Sequence, residues 1–248
     1  MERLDIFGIG IIDTTLQNAK DAMESIIDSR PDKTYSIVFV NTSTMNLAIE
    51  DRKYADVLNS ADYVFGDGTG VRWAVRILYK RKLLDNVNGT DLIPKFLRET
   101  TGKNYRYFLL GAEPEAIEKA AENAPALFPD CALAGYHHGF WKKEENDEII
   151  RIINESGAHL LLVGMGNPIQ ENWIAGNIGK LKVPLVAAVG GLFTYWSGDL
   201  DRAPLWIRKI GMEWLHILFR QPHKWQRYLV GNTKFLARIF LQAARGKS

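Results

Sequence analysis

The residues 61–76, ADYVFGDGTGVRWAVR, set one carboxylate, Asp67, in a glycine turn between an apolar run and an amphipathic one. That order reads as a buried strand, a tight turn and a helix that begins at once. In an α/β sheet such a turn is where ligands sit, because strand ends and helix N–H groups converge there. An aspartate also caps helices well, but a cap needs no glycines on both sides. Gly66, Gly68 and Gly70 instead suit close approach of a ligand to the backbone. Asp67 is therefore the residue expected to perform chemistry, with Gly68 against the ligand.

Other turns carry groups that would bind. Gly164 to Glu171, GMGNPIQE, admits two readings. In one, Asn167 is a helix N-cap, Pro168 the first helical residue and Gln170 the returning side chain of a capping box. In the other, Gly164 and Gly166 form a phosphate cradle before a helix N-terminus. Gly190 and Gly191, followed by Leu192, Phe193 and Thr194, would let a sugar or planar base lie against backbone, with Phe140 or Trp141 stacking on the base. Asn41, Thr42, Ser43 and Thr44 put four hydrogen-bonding side chains after an apolar run, and Asn88 to Asp91 open a further helix. No metal site is expected. Asp199 and Asp201 form a short acidic pair beyond the last strand, and His137-His138 lack a recognisably spaced third ligand. Nothing resembles a Ser-His-Asp or Cys-His set, and no glycine run completes the dinucleotide fingerprint.

The elements that must hold these turns alternate. Strand readings fall on Leu4–Ile12, Tyr35–Val40, Ala61–Phe65, Tyr107–Gly111, Cys131–Tyr136, His159–Gly164 and Val183–Val189. Helical readings fall on Leu16–Asp28, a stretch following Thr44 to about Leu58, Leu92–Glu99, a stretch opened by Pro114, Glu144–Glu155 and Pro168–Ile178. The strands lack polar/apolar alternation, so the sheet should be covered on both faces. The expected class is α/β: a doubly wound, mostly parallel, Rossmann-like sheet over residues 1–200. After Ser197-Gly198 only helical patterns follow, on Pro204–Phe219 and Pro222–Ala243, giving a C-terminal helical appendage over 201–248.

Charge divides at the same point. The 248 residues carry a net +2, yet from Arg202 onward ten Lys/Arg face one acid, Glu213, for a net +9, leaving −7 on the first 201 residues. With Trp206, Trp214 and Trp225, that segment suits an anionic membrane surface. No recognisable nucleic-acid motif accompanies the charge, and no nucleic-acid partner is expected. The single cysteine, Cys131, excludes an internal disulfide. The longest apolar run, Val183 to Trp196, is too short to span a bilayer, which needs about 20 residues.

Taken together, ADYVFGDGTGVRWA, NGTDL (Asn88–Leu92), FLLGAEPE (Phe108–Glu115), GMGNPIQE, AVGGLFTYWSG (Ala188–Gly198) and RAPLWIRKIGMEWLHILFRQP (Arg202–Pro222) resemble the WecG/TagA/CpsF bacterial glycosyltransferases, in family order along nearly the whole chain. The resemblance implies an inverting, metal-independent transferase without a cofactor. It would move an N-acetylmannosamine-type sugar from UDP to a polyprenyl-diphosphate-linked acceptor at the cytoplasmic face of the membrane, as a peripheral enzyme. It implies Asp67 as general base, Gln170 against the nucleotide diphosphate or sugar, Asn41 at the active-site strand end, and a C-terminal segment that closes over the site. Arg202, Arg208, Arg220 or Arg227 would then meet the phosphates. Three positions depart from the pattern: Phe39 and Asn86 replace a threonine and an arginine, and Thr194 an aspartate. These bear on the donor, and a UDP-glucose-type glucosyltransferase is the first alternative. A non-catalytic sugar-nucleotide-binding scaffold is the second.

Overall fold

The computed structural model describes residues 2–209, 211–222 and 225–246. Its strands are β1 (Glu2–Ile6), β2 (Ile9–Asp13), β3 (Tyr35–Val40), β4 (Tyr63–Gly66), β5 (Arg106–Gly111), β6 (Ala132–His137), β7 (Leu160–Gly164) and β8 (Leu185–Ala188). They form one sheet in the order β1-β2-β4-β3-β8-β7-β5-β6. The β1–β2 pair is antiparallel and the other pairings are parallel. The α-helices are α1 (Leu16–Ser29), α2 (Thr42–Glu50), α3 (Arg52–Ser60), α4 (Thr69–Tyr79), α5 (Gly89–Glu99), α6 (Pro114–Leu127), α7 (Asn146–Glu155), α8 (Ile169–Asn177), α9 (Leu192–Trp196), α10 (Leu205–Lys209), α11 (Glu213–Arg220) and α12 (Gly231–Arg245).

Side chains alternate across each strand, so both faces of this apolar sheet need cover. Val38, Val40, Val64, Leu161, Val163 and Val186 face a core built with α2, α3, α4, α7, α8 and α12. Ile37, Phe39, Phe65, Leu109, Leu162 and Leu185 face the other core, closed by α1, α5, α6 and α9. The α/β, doubly wound, mostly parallel expectation is met. Phe235 and Ile239 of α12 are wholly buried in the first core. Each such side chain contributes about 1.5–3 kcal/mol by leaving water, so α12 is fastened to α2 and α4 rather than trailing from them.

Three local readings change. Leu4–Ile12 is not one strand but a hairpin, turned by Phe7 (φ 56°) and Gly8 (φ 81°), with Ile6 opposite Ile9. The helical stretch ending near Leu58 breaks at Asp51, whose extended backbone ends α2 and whose carboxylate caps α3 through the N–H groups of Lys53 and Tyr54. The stretch Pro204–Phe219 is broken between α10 and α11, where Gly211 has φ 77°.

Candidate active site

Strands β3 and β8 lie side by side at the centre of the sheet, yet β3 leads to β4 on one side while β8 is reached from β7 on the other. Helices leave their carboxyl ends in opposite directions, and a crevice opens between them. A cavity of about 1040 Å³ lies there, and the loops after β3, β4, β7 and β8 all contribute to its wall.

Asp67 follows β4 directly and lines this cavity with Asn41, Gln170, Gly190 and Gly191. Its backbone is clamped twice. The Asp67 N–H donates to the Val40 carbonyl at 2.8 Å, carrying the β3–β4 ladder one residue past the strand. The next N–H, of Gly68, donates to Asn86 Oδ1 at 2.8 Å. Gly68 has φ 88°, a conformation that a side chain would strain. The glycines around Asp67 therefore shape the turn as well as opening it. At Gly70 the reason is close approach: an added Cβ would sit 2.1 Å from Thr42 Cγ2.

Asn41 caps α2, its Oδ1 accepting from the N–H groups of Ser43 (3.0 Å) and Thr44 (3.2 Å). Thr42 also lines the cavity, and its hydroxyl donates to Asn232 Oδ1 of α12 at 2.7 Å. Gly68, Phe140, Gly164, Gly166, Thr194 and Arg208 share the same wall. Phe140 is 60% exposed at the mouth.

The Gly164–Glu171 turn corrects one reading. Pro168, not Asn167, is the N-cap residue of α8, and no capping side chain bonds there. Gln170 does not return to cap its own helix. Its Oε1 accepts from Gly166 N (3.2 Å) and Gly190 N (2.9 Å), tying the β7 and β8 loops together. Those two amides are thereby committed within the protein. Gln170 Nε2 donates to Glu171 Oε1 at 2.7 Å. Glu171 is 1% exposed and also accepts from Asn167 Nδ2 (2.7 Å) and the Tyr54 hydroxyl (3.1 Å). Burial pushes its carboxyl above the usual glutamate range, against the pull of these donors.

Asn88, Asp91, Arg202 and Arg220 are not among the described residues lining the cavity. Asn88, 3% exposed, is the cap of α5, accepting from Asp91 N and Thr90 Oγ1. Asp91 receives Arg202 Nη1 at 2.6 Å and Arg208 Nη1 at 3.1 Å. Burial opposes its ionisation, but bonds from Arg202 and Asn88 and the charges of both arginines hold its carboxyl below the usual range. Arg202 is held further by the Thr90 carbonyl and Glu213. Arg220 pairs with Asp201 at the surface. The Arg227 side chain lies outside the described residues.

A model of the glycosyl transferase WecG/TagA/CpsF family matches residues 4–248. The chain belongs to that family. Two curated relatives, from Staphylococcus aureus strains MW2 and NCTC 8325 / PS 47, are each 28% identical over 245 residues, covering 99% of this chain and 93% of the relative. Both are named N-acetylglucosaminyldiphosphoundecaprenol N-acetyl-beta-D-mannosaminyltransferase.

For this glycosyltransferase family member, sequence reading missed several cavity groups, Arg72 and Trp73 among them. Arg72 lines the wall from the first turn of α4, and with Arg208 it makes up the described cationic side chains there. Its place five residues after Asp67 was a usable signal. Trp73, 51% exposed, stands beside it. Glu171 was read only as the end of a motif, because nothing local marks a glutamate as buried. Among the described residues no three His, Cys, Asp or Glu side chains gather as a metal-binding group.

Proposed function

We propose that this chain transfers N-acetylmannosamine from UDP to N-acetylglucosaminyl-diphosphoundecaprenol, with inversion. The observation that carries the reading is Asp67 at the carboxyl end of β4, lining one cavity with Gln170, Gly191 and two arginines. The family match and the relatives' names support the sugar and the acceptor.

The acceptor hydroxyl attacks the anomeric carbon of the donor. The new C–O bond forms as the bond from that carbon to the phosphate oxygen breaks, and the electron pair leaves with UDP. The hydroxyl proton goes to Asp67, a general-base contribution of about 10²–10⁴-fold. Negative charge grows on the departing diphosphate. Arg72 and Arg208, with N–H groups of the glycine loops not already used by Gln170, are the groups to meet it.

Residues 1–200 form the catalytic body in this reading, and residues 201–248 close over the cavity and meet the cytoplasmic face of the membrane. Trp206, Phe219, Trp225, Phe240 and Leu241 are exposed on this basic segment, and each Lys/Arg near an anionic leaflet adds about 1 kcal/mol. Among the described residues no helix is long and apolar enough to cross a membrane.

The test is transfer from UDP-N-acetylmannosamine to the lipid-linked acceptor by wild type and Asp67→Asn. The variant is expected to keep UDP binding and lose at least a hundredfold in kcat. Full activity in the variant removes Asp67 from the mechanism, and a wild type that transfers only glucose replaces the donor.

A further inference from the structure

The buried pair Gln170–Glu171 joins three parts of the site through one amide. A carboxylate only accepts hydrogen bonds, so Glu171 Oε1, 2.7 Å from Gln170 Nε2, fixes which end of that amide points where. Gln170 Oε1 must then face the N–H groups of Gly166 and Gly190. The reversed amide would set oxygen against carboxylate on one side and N–H against N–H on the other. Glu171 is itself aimed by Tyr54 from α3 and Asn167 from the β7–α8 loop. Tyr54 is 2% exposed and does not figure among the described cavity-lining residues.

From this geometry we propose that Glu171 is a positioning residue: it orients the Gln170 amide, and through it fixes the spacing of the two glycine loops that receive the donor nucleotide. The inference rests on the UDP-sugar reading above. Glu171 is not among the described cavity-lining residues; it acts chiefly through Gln170, whose backbone-facing oxygen meets both loops, and it also holds Asn167 on the first of them. Buried polar relays of this kind are strongly coupled, and removing one member leaves the others mispaired.

The test measures UDP binding by calorimetry, and kinetics with UDP-N-acetylmannosamine, for wild type, Glu171→Gln, Gln170→Ala and the double variant. The expected result is about tenfold weaker UDP binding in Glu171→Gln, with KM for the donor raised in step and kcat within threefold. Gln170→Ala is expected to weaken binding similarly, and the double variant no further, since the second change acts through a side chain already gone. A structural role alone would lower the melting temperature but leave KM of the folded fraction unchanged and the two losses multiplicative. That result overturns the inference, as does wild-type UDP affinity in Glu171→Gln. Should Glu171→Gln not fold, Tyr54→Phe removes one donor to the carboxylate from a residue that is not among the described cavity-lining ones. It is expected to weaken UDP binding two- to fivefold, and unchanged binding overturns the inference. Wild-type protein that binds no UDP overturns the donor reading and this inference together, whereas wild-type binding with an unaffected Glu171 variant overturns this inference alone.

Discussion

The side-chain oxygen of Asn86 holds the backbone N–H of Gly68 at 2.8 Å, 18 residues away in sequence and one residue beyond Asp67. The turn that aims the carboxylate is thus gripped from the segment that leads into α5. Asn86→Ala leaves Asp67 in place but releases this grip. Steady-state kinetics are expected to show kcat reduced about tenfold, the scale of a slightly misplaced general base, with UDP affinity nearly unchanged. An equal fall in UDP affinity would assign Asn86 to the nucleotide instead.

Asp91 is the anchor for two arginines that come from more than 110 residues later in the chain. Asp91→Ala leaves both partly buried cations without it, at a cost of about 1–3 kcal/mol, between the values for exposed and fully buried pairs. The pH dependence has a definite sign. The folded-state carboxyl sits below its ordinary 3.8, so its stabilisation is complete above that value and is lost as pH falls through the lower folded value. Urea unfolding of the two proteins should therefore differ at pH 7 and converge in stronger acid. A gap that persists there would point to lost packing rather than lost charge.

Gly70 is pressed against Thr42, and Thr42 holds α12 through Asn232. In Gly70→Ala the threonine must swing away from the new methyl, and overpacking of this kind costs about 1–3 kcal/mol. Adding Thr42→Ser removes the offending Cγ2 and keeps the hydroxyl, so thermal melting of the double variant should recover much of the loss. No recovery would mean the strain lies in the turn itself.

Trp206 is 65% and Phe219 77% exposed on the basic segment. Changing both to serine removes apolar area without touching the two cores. Flotation with vesicles containing anionic lipid is expected to show at least a fivefold loss of binding, with UDP affinity retained. Undiminished flotation would locate the membrane contact elsewhere.

The strand–helix alternation was legible because each buried run is bounded by glycine or a capping residue, and Asp67 stood out for the same reason. The hairpin at Phe7-Gly8 was not, since the pair lacks the Asn-Gly or Asp-Gly signal that usually marks a two-residue turn. The break at Asp51 was hidden because Asp51 ends one helix and caps the next, which leaves no loop to see. The capping-box reading of Gln170 failed for a deeper reason. Its position fits a local capping box, but its oxygen is used 20 residues away at Gly190, and a tertiary partner displaced the local one. The Asp91–Arg202–Arg208 cluster and the burial of Phe235 likewise depend on pairings that no neighbouring residue announces.

The mostly parallel sheet has two rims, and the strand-end loops after β3, β4, β7 and β8 that shape the cavity lie on one of them. The opposite rim includes the exposed turn before β3, where Asp32 stands. The sole cysteine, Cys131, is buried, and burial raises its thiol pKa further from reactivity. An Asp32→Cys protein would therefore offer a single accessible thiol on the side away from the crevice. Tethered to a sensor chip by that sulfur, the molecule would present its open mouth to vesicles or nucleotide in one uniform orientation.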